Sequence, residues 1–375
     1  MSNNKKQIKI LQLVTSRQFR GAEVSASELS FELSKRGHQV FFAGLYKPNT
    51  NELNVPGCIN IDLNGKKKTI DFFLIWRLFR LVTKQQPDII QANGSDTLKY
   101  IVFVSLFSKK FKIVYRNISM VSFWVKKNHW KLQFNKWLLR KIDFVTSVGD
   151  SSLNDFISFY SFPSSKAKVI RRGIPYFEYD KNTEKIKLAN EFNFNYSDKL
   201  LIHIGQFSQE KNHSFLIKAF ECLHKKDPTC RLILIGEGTL QTEIKKIVKE
   251  KNLQSHIFFA GHQTDVQKYL AASDLFVLCS LVEGVPGVIL EAAIQKVPSL
   301  ASNVGGVNEV IRNGFSGVLI DDNNADEFAN EIHQLLTNDP ERIRLGLNAF
   351  EFVKGHFSIQ KCATDFEDLY YSLID

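Results

Sequence analysis

Cysteine is sparse in this chain and carries no pattern. The five residues, Cys58, Cys222, Cys230, Cys279 and Cys362, are odd in number and show no Cys-x-x-Cys or Cys/His ligand spacing. Neither a disulfide framework nor a zinc site is therefore indicated, and a reducing cytosol fits best. No uncharged run approaches the roughly 18 residues of a membrane-spanning helix. The opening MSNNKKQIKILQLVTS has too short an apolar stretch for a signal peptide and reads as a first strand. Acids are also scarce early on. Up to residue 180 there are 13 Asp+Glu against 29 Lys+Arg, whereas the remainder has 26 against 20, so the net charge of +10 combines a basic half with a mildly acidic one. Such a half suits a phosphorylated substrate or anionic lipid, with a diffuse solvated surface as the bland alternative. Without a recognition motif, nucleic acid is not an expected partner.

What is present is a core-forming chain of 375 residues, 44% hydrophobic, enough for two domains of ordinary size. Its pattern is strand then helix, repeated. IKILQLV, HQVFFAGL, PDIIQAN, KIVYRN and DFVTSVG read as strands of a first series, separated by amphipathic stretches such as VSASELSFELSKRG. KLLIHIGQF, CRLILIGEG, IFFAG and DLFVLCS open a second series. The alternation predicts two α/β Rossmann-like domains with parallel sheets and a cleft between them, with ligands beyond the carboxyl ends of the strands. Residues 1–172 form the first domain, 173–198 a linker of poor periodicity, and 199–356 the second.

One of those strand ends carries chemistry. In EGVPGVILEA, Glu283 follows the strand DLFVLCS, Pro286 suits a helix start, and the amides of Gly287, Val288 and Ile289 would present an anion site aided by the helix dipole. Glu291 would lie five residues beyond Pro286, roughly 7.5 Å at the helical rise, which suits a ribose next to a diphosphate. Glu283, beside the helix start, could hold the hydroxyls of whatever the diphosphate carries.

EGVPGVILEA resembles the E-x7-E signature of the retaining family-four, or group-one, glycosyltransferases, which have the GT-B fold of two Rossmann-like domains facing across a cleft. GQFSQEKN is similar to that family's phosphate-binding loop, GEG to its next strand end, NVGGVNEVI to the Gly-rich loop after its E-x7-E helix, and RGAEVSASELSFELSKRGHQV to its N-terminal loop and helix. The resemblance implies a nucleotide-diphosphate sugar as donor and no cofactor. It puts Lys211 on the diphosphate beside Gly205 and Gln206, Gly236 at the neighbouring strand end, Glu291 on the ribose, and Glu283 on the sugar. The base would rest against Phe259 and Gly261, and Gly21 would allow close approach to phosphate. It also implies that the C-terminal helix, about 357–375, packs back on the first domain.

Some positions depart from the family pattern. Gln206 stands where an arginine is usual, so one of two expected cations is missing. Gln91 and Asn93 stand where a His-x-His often occurs, and Asn93 can orient a hydroxyl but not act as a base. Arg20 replaces a glycine and would restore positive charge if it reached the site. Retaining transfer in this family is thought to let the departing diphosphate take the acceptor's proton, so a protein base is dispensable. No metal is expected either, since the Asp-Asp doublet in DDNNAD, Asp321 to Asp326, reads as a solvated turn.

For the acceptor, FWVKKNHWKLQFNKWLLRK contains Trp124, Trp130 and Trp137 with six Lys+Arg and no acid. It suits an anionic membrane surface and a lipid-linked acceptor at the inner leaflet, with an ordinary helix packing its Trp face on the domain as the alternative. Arg116 and Asn117, at a strand end, are further acceptor candidates. The sequence thus predicts sugar transfer to a glycan or lipid-linked acceptor in bacterial surface polysaccharide assembly, in the cytoplasm or on the inner face of the membrane. The rival readings are a nucleotide-sugar-binding module without activity and an epimerase of the same fold.

Overall fold

The structure, a computed structural model, describes residues 6–48, 52–108, 110–125, 129–321 and 324–375. The chain forms two compact units, one of Met1–Pro175 with Phe357–Asp375 and one of Tyr176–His356. In the first, β1 (Lys9–Ser16), β2 (Gln39–Tyr46), β3 (Ile59–Gly65), β4 (Ile89–Asn93), β5 (Lys112–Asn117), β6 (Phe144–Ser147) and β7 (Ala167–Val169) make a parallel sheet in the order β3-β2-β1-β4-β5-β6-β7. In the second, β8 (Lys199–Ile204), β9 (Cys230–Ile235), β10 (Ile257–Gly261), β11 (Leu275–Leu278), β12 (Ser299–Ser302) and β13 (Gly317–Ile320) run β10-β9-β8-β11-β12-β13. Both sheets are doubly wound. Their strand order reverses beside β1 and beside β8, which are the topological switch points where such sheets bind ligands.

Several elements were not read from the sequence, among them the strands β3, β7 and β13. β3, INIDLNG, is an edge strand with most side chains partly exposed, so it lacks the apolar run that marks the central strands. The segment assigned to a linker, 173–198, contains a helix, Lys181–Phe192. Asp180 caps it by accepting from the Thr183 amide at 2.8 Å, and it buries Leu188 and Ala189. Its anchor is ionic: Lys181 and Lys185, one turn apart, each donate at 2.9 Å to the Asp274 carboxylate just before β11. With few apolar positions, such a helix has no clear hydrophobic period. Two further helices, Ala325–Thr337 and Asp339–His356, complete the second unit.

The last helix, Ile359–Ile374, lies in the first unit beside the helix Gly21–Lys35. Cys362, Ala363, Phe366, Leu369 and Tyr370 join Ile8, Ile10, Leu29 and Leu33 in one buried cluster. Arg36 donates to Glu367 at 2.5 Å, and His38 meets the same carboxylate at 2.8 Å. Gly173 lets this chain end approach closely, because a Cβ there would sit 2.5 Å from the Ile359 Cα. No helix among the described residues is long and apolar enough to cross a membrane.

Candidate active site

The switch point of the second sheet gathers the residues with the most chemistry. The loop after β8 runs from Gly205 to a short helical turn at Gln209–Lys211, and the loop after β11 carries Ser280 and Glu283. Because β8 and β11 are paired neighbours, these loops meet although 72 positions separate Lys211 from Glu283. Lys211 Nζ donates to Glu283 Oε1 at 2.5 Å, and Ser280 Oγ donates to the same oxygen at 2.6 Å. Both bonds fall on Oε1. Oε2 is left to accept a hydroxyl, and an ammonium with three N–H donors keeps two for an anion. Ser280 was not singled out from the sequence; a serine three positions before the acid was the available signal.

Glu283 is followed by the helix Gly287–Ile294, with Pro286 in the extended cap position rather than inside the first turn. The Ile289 amide donates to the Pro286 carbonyl at 3.2 Å, so it is not available to a ligand as the sequence reading proposed. Among the described residues no hydrogen-bond acceptor is found for the Gly287 or Val288 amide, which leaves these two N–H groups as orphan donors of the helix start. Glu291 lies half-buried in the same helix.

Glycines hold the loops together. Gly305 (φ +56°) sits so close to Glu283 that a Cβ would come 1.9 Å from its carbonyl oxygen, and one on Gly306 would come 2.2 Å from that of Gly284. Gly236 (φ +136°) packs in the same way against Gly205, with 2.1 Å to its carbonyl. The Gly236 position therefore supports the Gly205–Gln206 turn from beneath. Gln206 itself is exposed. Phe259 is half-buried, stacked on Phe207 at 5.9 Å with Lys245 Nζ 5.3 Å over its ring, while Gly261 faces open space.

Below the lysine loop lie two histidines that the sequence reading missed. His203 donates from Nδ1 to the Val277 carbonyl at 2.9 Å, and His213 stacks on Phe207 at 4.2 Å and meets His203 edge-on at 4.8 Å. His203 Nε2 and both His213 nitrogens are buried without hydrogen-bond partners. Burial pushes His203 down to about 4 and His213 to about 2 from 6.5. Both pKa values are depressed on folding, so the stability is present above 6.5 and is lost as pH falls from there through about 4, where the folded His203 takes its proton. Thermal melts across that window should show a falling Tm, and His213→Phe should flatten the fall. An unchanged slope in that variant would remove His213 from the account.

In the first unit the sequence-predicted residues divide. Arg20 and Gly21 are exposed at the start of the helix Gly21–Lys35, with nothing within 4 Å of where a Gly21 Cβ would stand. Asn93 is turned inward: its Nδ2 donates to Gln12 Oε1 at 3.0 Å and to the Leu13 carbonyl at 3.3 Å, and its Oδ1 accepts from Gln91 at 3.1 Å. Tyr370 closes this network by donating to Gln91 at 2.5 Å. With both amide atoms engaged and the side chain buried, Asn93 acts as a structural tie rather than as the catalytic group expected.

Arg116 and Asn117 also turn inward rather than toward an acceptor. Arg116 is 2% exposed, donates to Ser25 at 3.1 Å and lies 5.4 Å over the Phe366 ring, with burial lowering its pKa. Asn117 donates at 3.2 Å to Ser147 and to the Ser152 carbonyl. Both point into the domain, where no acceptor reaches them. A different arginine holds the loop after β1: Arg17 donates to both oxygens of Asp62, at 2.9 and 2.5 Å, and to Asn54 at 2.6 Å.

Among the described residues no three His, Cys, Asp or Glu side chains gather as a metal site; Asp322 and Asn323 of the late acidic turn lie outside the described residues. The Trp-rich segment divides: Trp137 is half-buried and stacks on Phe134 at 6.0 Å, whereas Trp124 and Trp130 are exposed, and Lys126 to Asn128 lie outside the described residues.

A doubly wound pair of Rossmann-like units, with an acid-lysine pair and a helix start at a switch point, defines a GT-B protein. The chain belongs to the group 1 glycosyltransferases: the model described as Glycosyl transferases group 1 matches residues 184–352, and that described as Glycosyltransferase Family 4 matches 19–176. As a member it is a glycosyltransferase that takes its sugar from a nucleotide sugar. It is similar to the N-acetyl-alpha-D-glucosaminyl L-malate synthase of Bacillus anthracis, 25% identical over 366 residues and 94% of each chain. It is also similar to the UDP-Gal:alpha-D-GlcNAc-diphosphoundecaprenol alpha-1,3-galactosyltransferase of Escherichia coli, 30% identical over 46% of this chain and 45% of that enzyme. Among solved structures, HepE from Anabaena in complex with UDP and glucose superposes with a TM-score of 0.85 at 20% identity, covering 98% of this chain and 100% of that one.

Proposed function

We propose that the protein is a retaining glycosyltransferase that moves a hexosyl or N-acetylhexosaminyl group from a nucleotide-diphosphate sugar to a glycan or lipid-linked acceptor. Its setting is bacterial surface polysaccharide assembly on the cytoplasmic side of the membrane, and it works without a metal ion. The observation that carries this reading is the Lys211–Glu283 pair at 2.5 Å beside the unengaged amides of Gly287 and Val288. As the bond from the sugar to the diphosphate breaks, negative charge grows on the leaving phosphate. Lys211 and the two amides stabilise it, Glu283 Oε2 holds a sugar hydroxyl, and Glu291 accepts from the ribose. The acceptor's proton passes to the departing phosphate oxygen on the same face, which is consistent with an Asn93 that is tied into the sheet. Arg20 and Gly21 offer a second cationic helix start to an anionic substrate. The name of the Escherichia coli relative, which pairs UDP-Gal with an alpha-D-GlcNAc-diphosphoundecaprenol acceptor, and the UDP in the HepE structure support this choice of donor and acceptor class.

Nucleoside diphosphate release in EDTA, with and without a polyprenyl-diphosphate sugar acceptor, tests the reading. Acceptor-dependent release is expected. Nucleotide binding without release would mark a binding module, and interconversion of the donor without acceptor an epimerase. Glu291→Ala should weaken donor binding about 10- to 100-fold, the effect of losing a charged hydrogen-bond partner. Unchanged affinity on calorimetric titration would remove Glu291 from the ribose.

A further inference from the structure

The first unit carries an outward face of aromatic residues that the sugar-transfer site does not use. The helix Phe72–Gln85 buries Leu74, Leu78 and Val82 on one stripe. Its other stripe is not polar at its start: Phe72, Phe73 and Trp76 are 77%, 76% and 53% exposed. Ring contacts link this helix to its neighbours. Phe79 meets Phe107 at 6.4 Å, and Phe107 itself is 73% exposed at the end of the adjoining helix Ser95–Ser105. One turn back, Phe103 touches Phe134 and Trp137 of the helix His129–Leu139, whose Trp130 is the most exposed tryptophan of the chain. Three neighbouring helices thus present large aromatics to solvent, more than a soluble surface ordinarily leaves open.

Cations dominate these helices, and the two acids at their starts are engaged: Asp71 accepts from the Lys66 and Leu74 amides, and Asp96 pairs with Lys99. By sequence, residues 97–142 contain eleven Lys+Arg, of which Arg116 is buried, and no acid, and the helix Phe72–Gln85 contains Arg77, Arg80 and Lys84 and no acid. Arg80 and Lys84 are exposed, and Arg80 lies 4.9 Å over the Trp76 ring, so cation and aromatic share one stripe. A protein partner would be recognised by scattered charges of both signs or a dry apolar core. Exposed aromatics interleaved with cations match instead a bilayer interface, where rings sit at headgroup depth and cations meet anionic lipid.

We propose that this face, centred on Phe72, Phe73, Trp76 and Phe107, docks the protein on an anionic lipid bilayer. It extends beyond the Trp-rich segment to a helix outside it, and it stands on surface chemistry rather than on the sugar-transfer reading. The full chain is sedimented with vesicles of phosphatidylcholine alone and of phosphatidylcholine with phosphatidylglycerol in equal parts. Binding to the anionic vesicles and much weaker binding to the neutral ones is expected. The triple variant Phe72→Ser, Phe73→Ser, Trp76→Ser and the charge variant Arg80→Glu, Lys84→Glu should each lower binding at least about tenfold. Both should keep the wild-type melting shift with nucleotide sugars, a readout that failure of the docking idea leaves untouched. No binding to anionic vesicles, equal binding to neutral ones, or unaltered binding in both variants overturns the proposal. So does light scattering that finds a wild-type dimer and a monomeric triple variant, since the face would then join two copies of the chain.

Discussion

Lys211→Ala should lower turnover about 10²- to 10³-fold, the usual loss when one preorganised charge at a developing anion is removed. The fold should survive, because the lysine side chain is partly exposed and lies in a loop outside the strands and helices that form the core. Glu283 keeps its bond from Ser280 at 2.6 Å in that variant, so its carboxylate is not left unpaired. The loss should appear in kcat more than in KM, since the ammonium meets more charge in the transition state than in the bound donor. A variant with wild-type kcat and a melting temperature within error of wild type would mean that a different cation holds the diphosphate.

The second large effect is on stability. Gly305→Ala places a methyl 1.9 Å from the Glu283 carbonyl in a residue with φ of +56°, and the obstacle is backbone that cannot rotate away. Left-handed strain of roughly 1–2 kcal/mol and a forced loop shift of about 1–3 kcal/mol together should lower Tm by roughly 10 °C in a unit of this size. Activity should fall further than stability, because the shift moves the Glu283 loop itself. Gly314→Ala is the control: its φ is +70°, but nothing lies within 4 Å of the new methyl, so only the strain is felt. Equal Tm losses in the two variants would show that backbone strain alone, not the close packing on Glu283, makes Gly305 necessary.

The parts of the site legible in the sequence are those whose chemistry is local. Glu283, Pro286 and Glu291 lie within one loop and one helix, and the strand-helix alternation was enough to place that loop at a strand's carboxyl end. The misassigned residues needed information from far along the chain. Asn93 and Arg116 end strands, and which face their side chains take depends on what covers that face. The cover includes Tyr370 and Phe366, from a helix more than 240 positions later. Strand parity puts Arg116 on the same side as Val114 and under that helix, so a residue type that suggests an acceptor contact is buried instead. The helix Lys181–Phe192 escaped for a related reason, since its docking partner, Asp274, is visible only once β11 is placed beside it.

In the reaction proposed for this site, sugar is transferred on one face, with charge held by Lys211 and the helix amides and no protein base. The most direct test is the anomeric configuration of the product, read by NMR after transfer from an α-linked nucleotide sugar in EDTA. An α-linked product formed without added metal is expected. A β-linked product would contradict the proposed reaction, because inversion requires a base on the opposite face of the sugar.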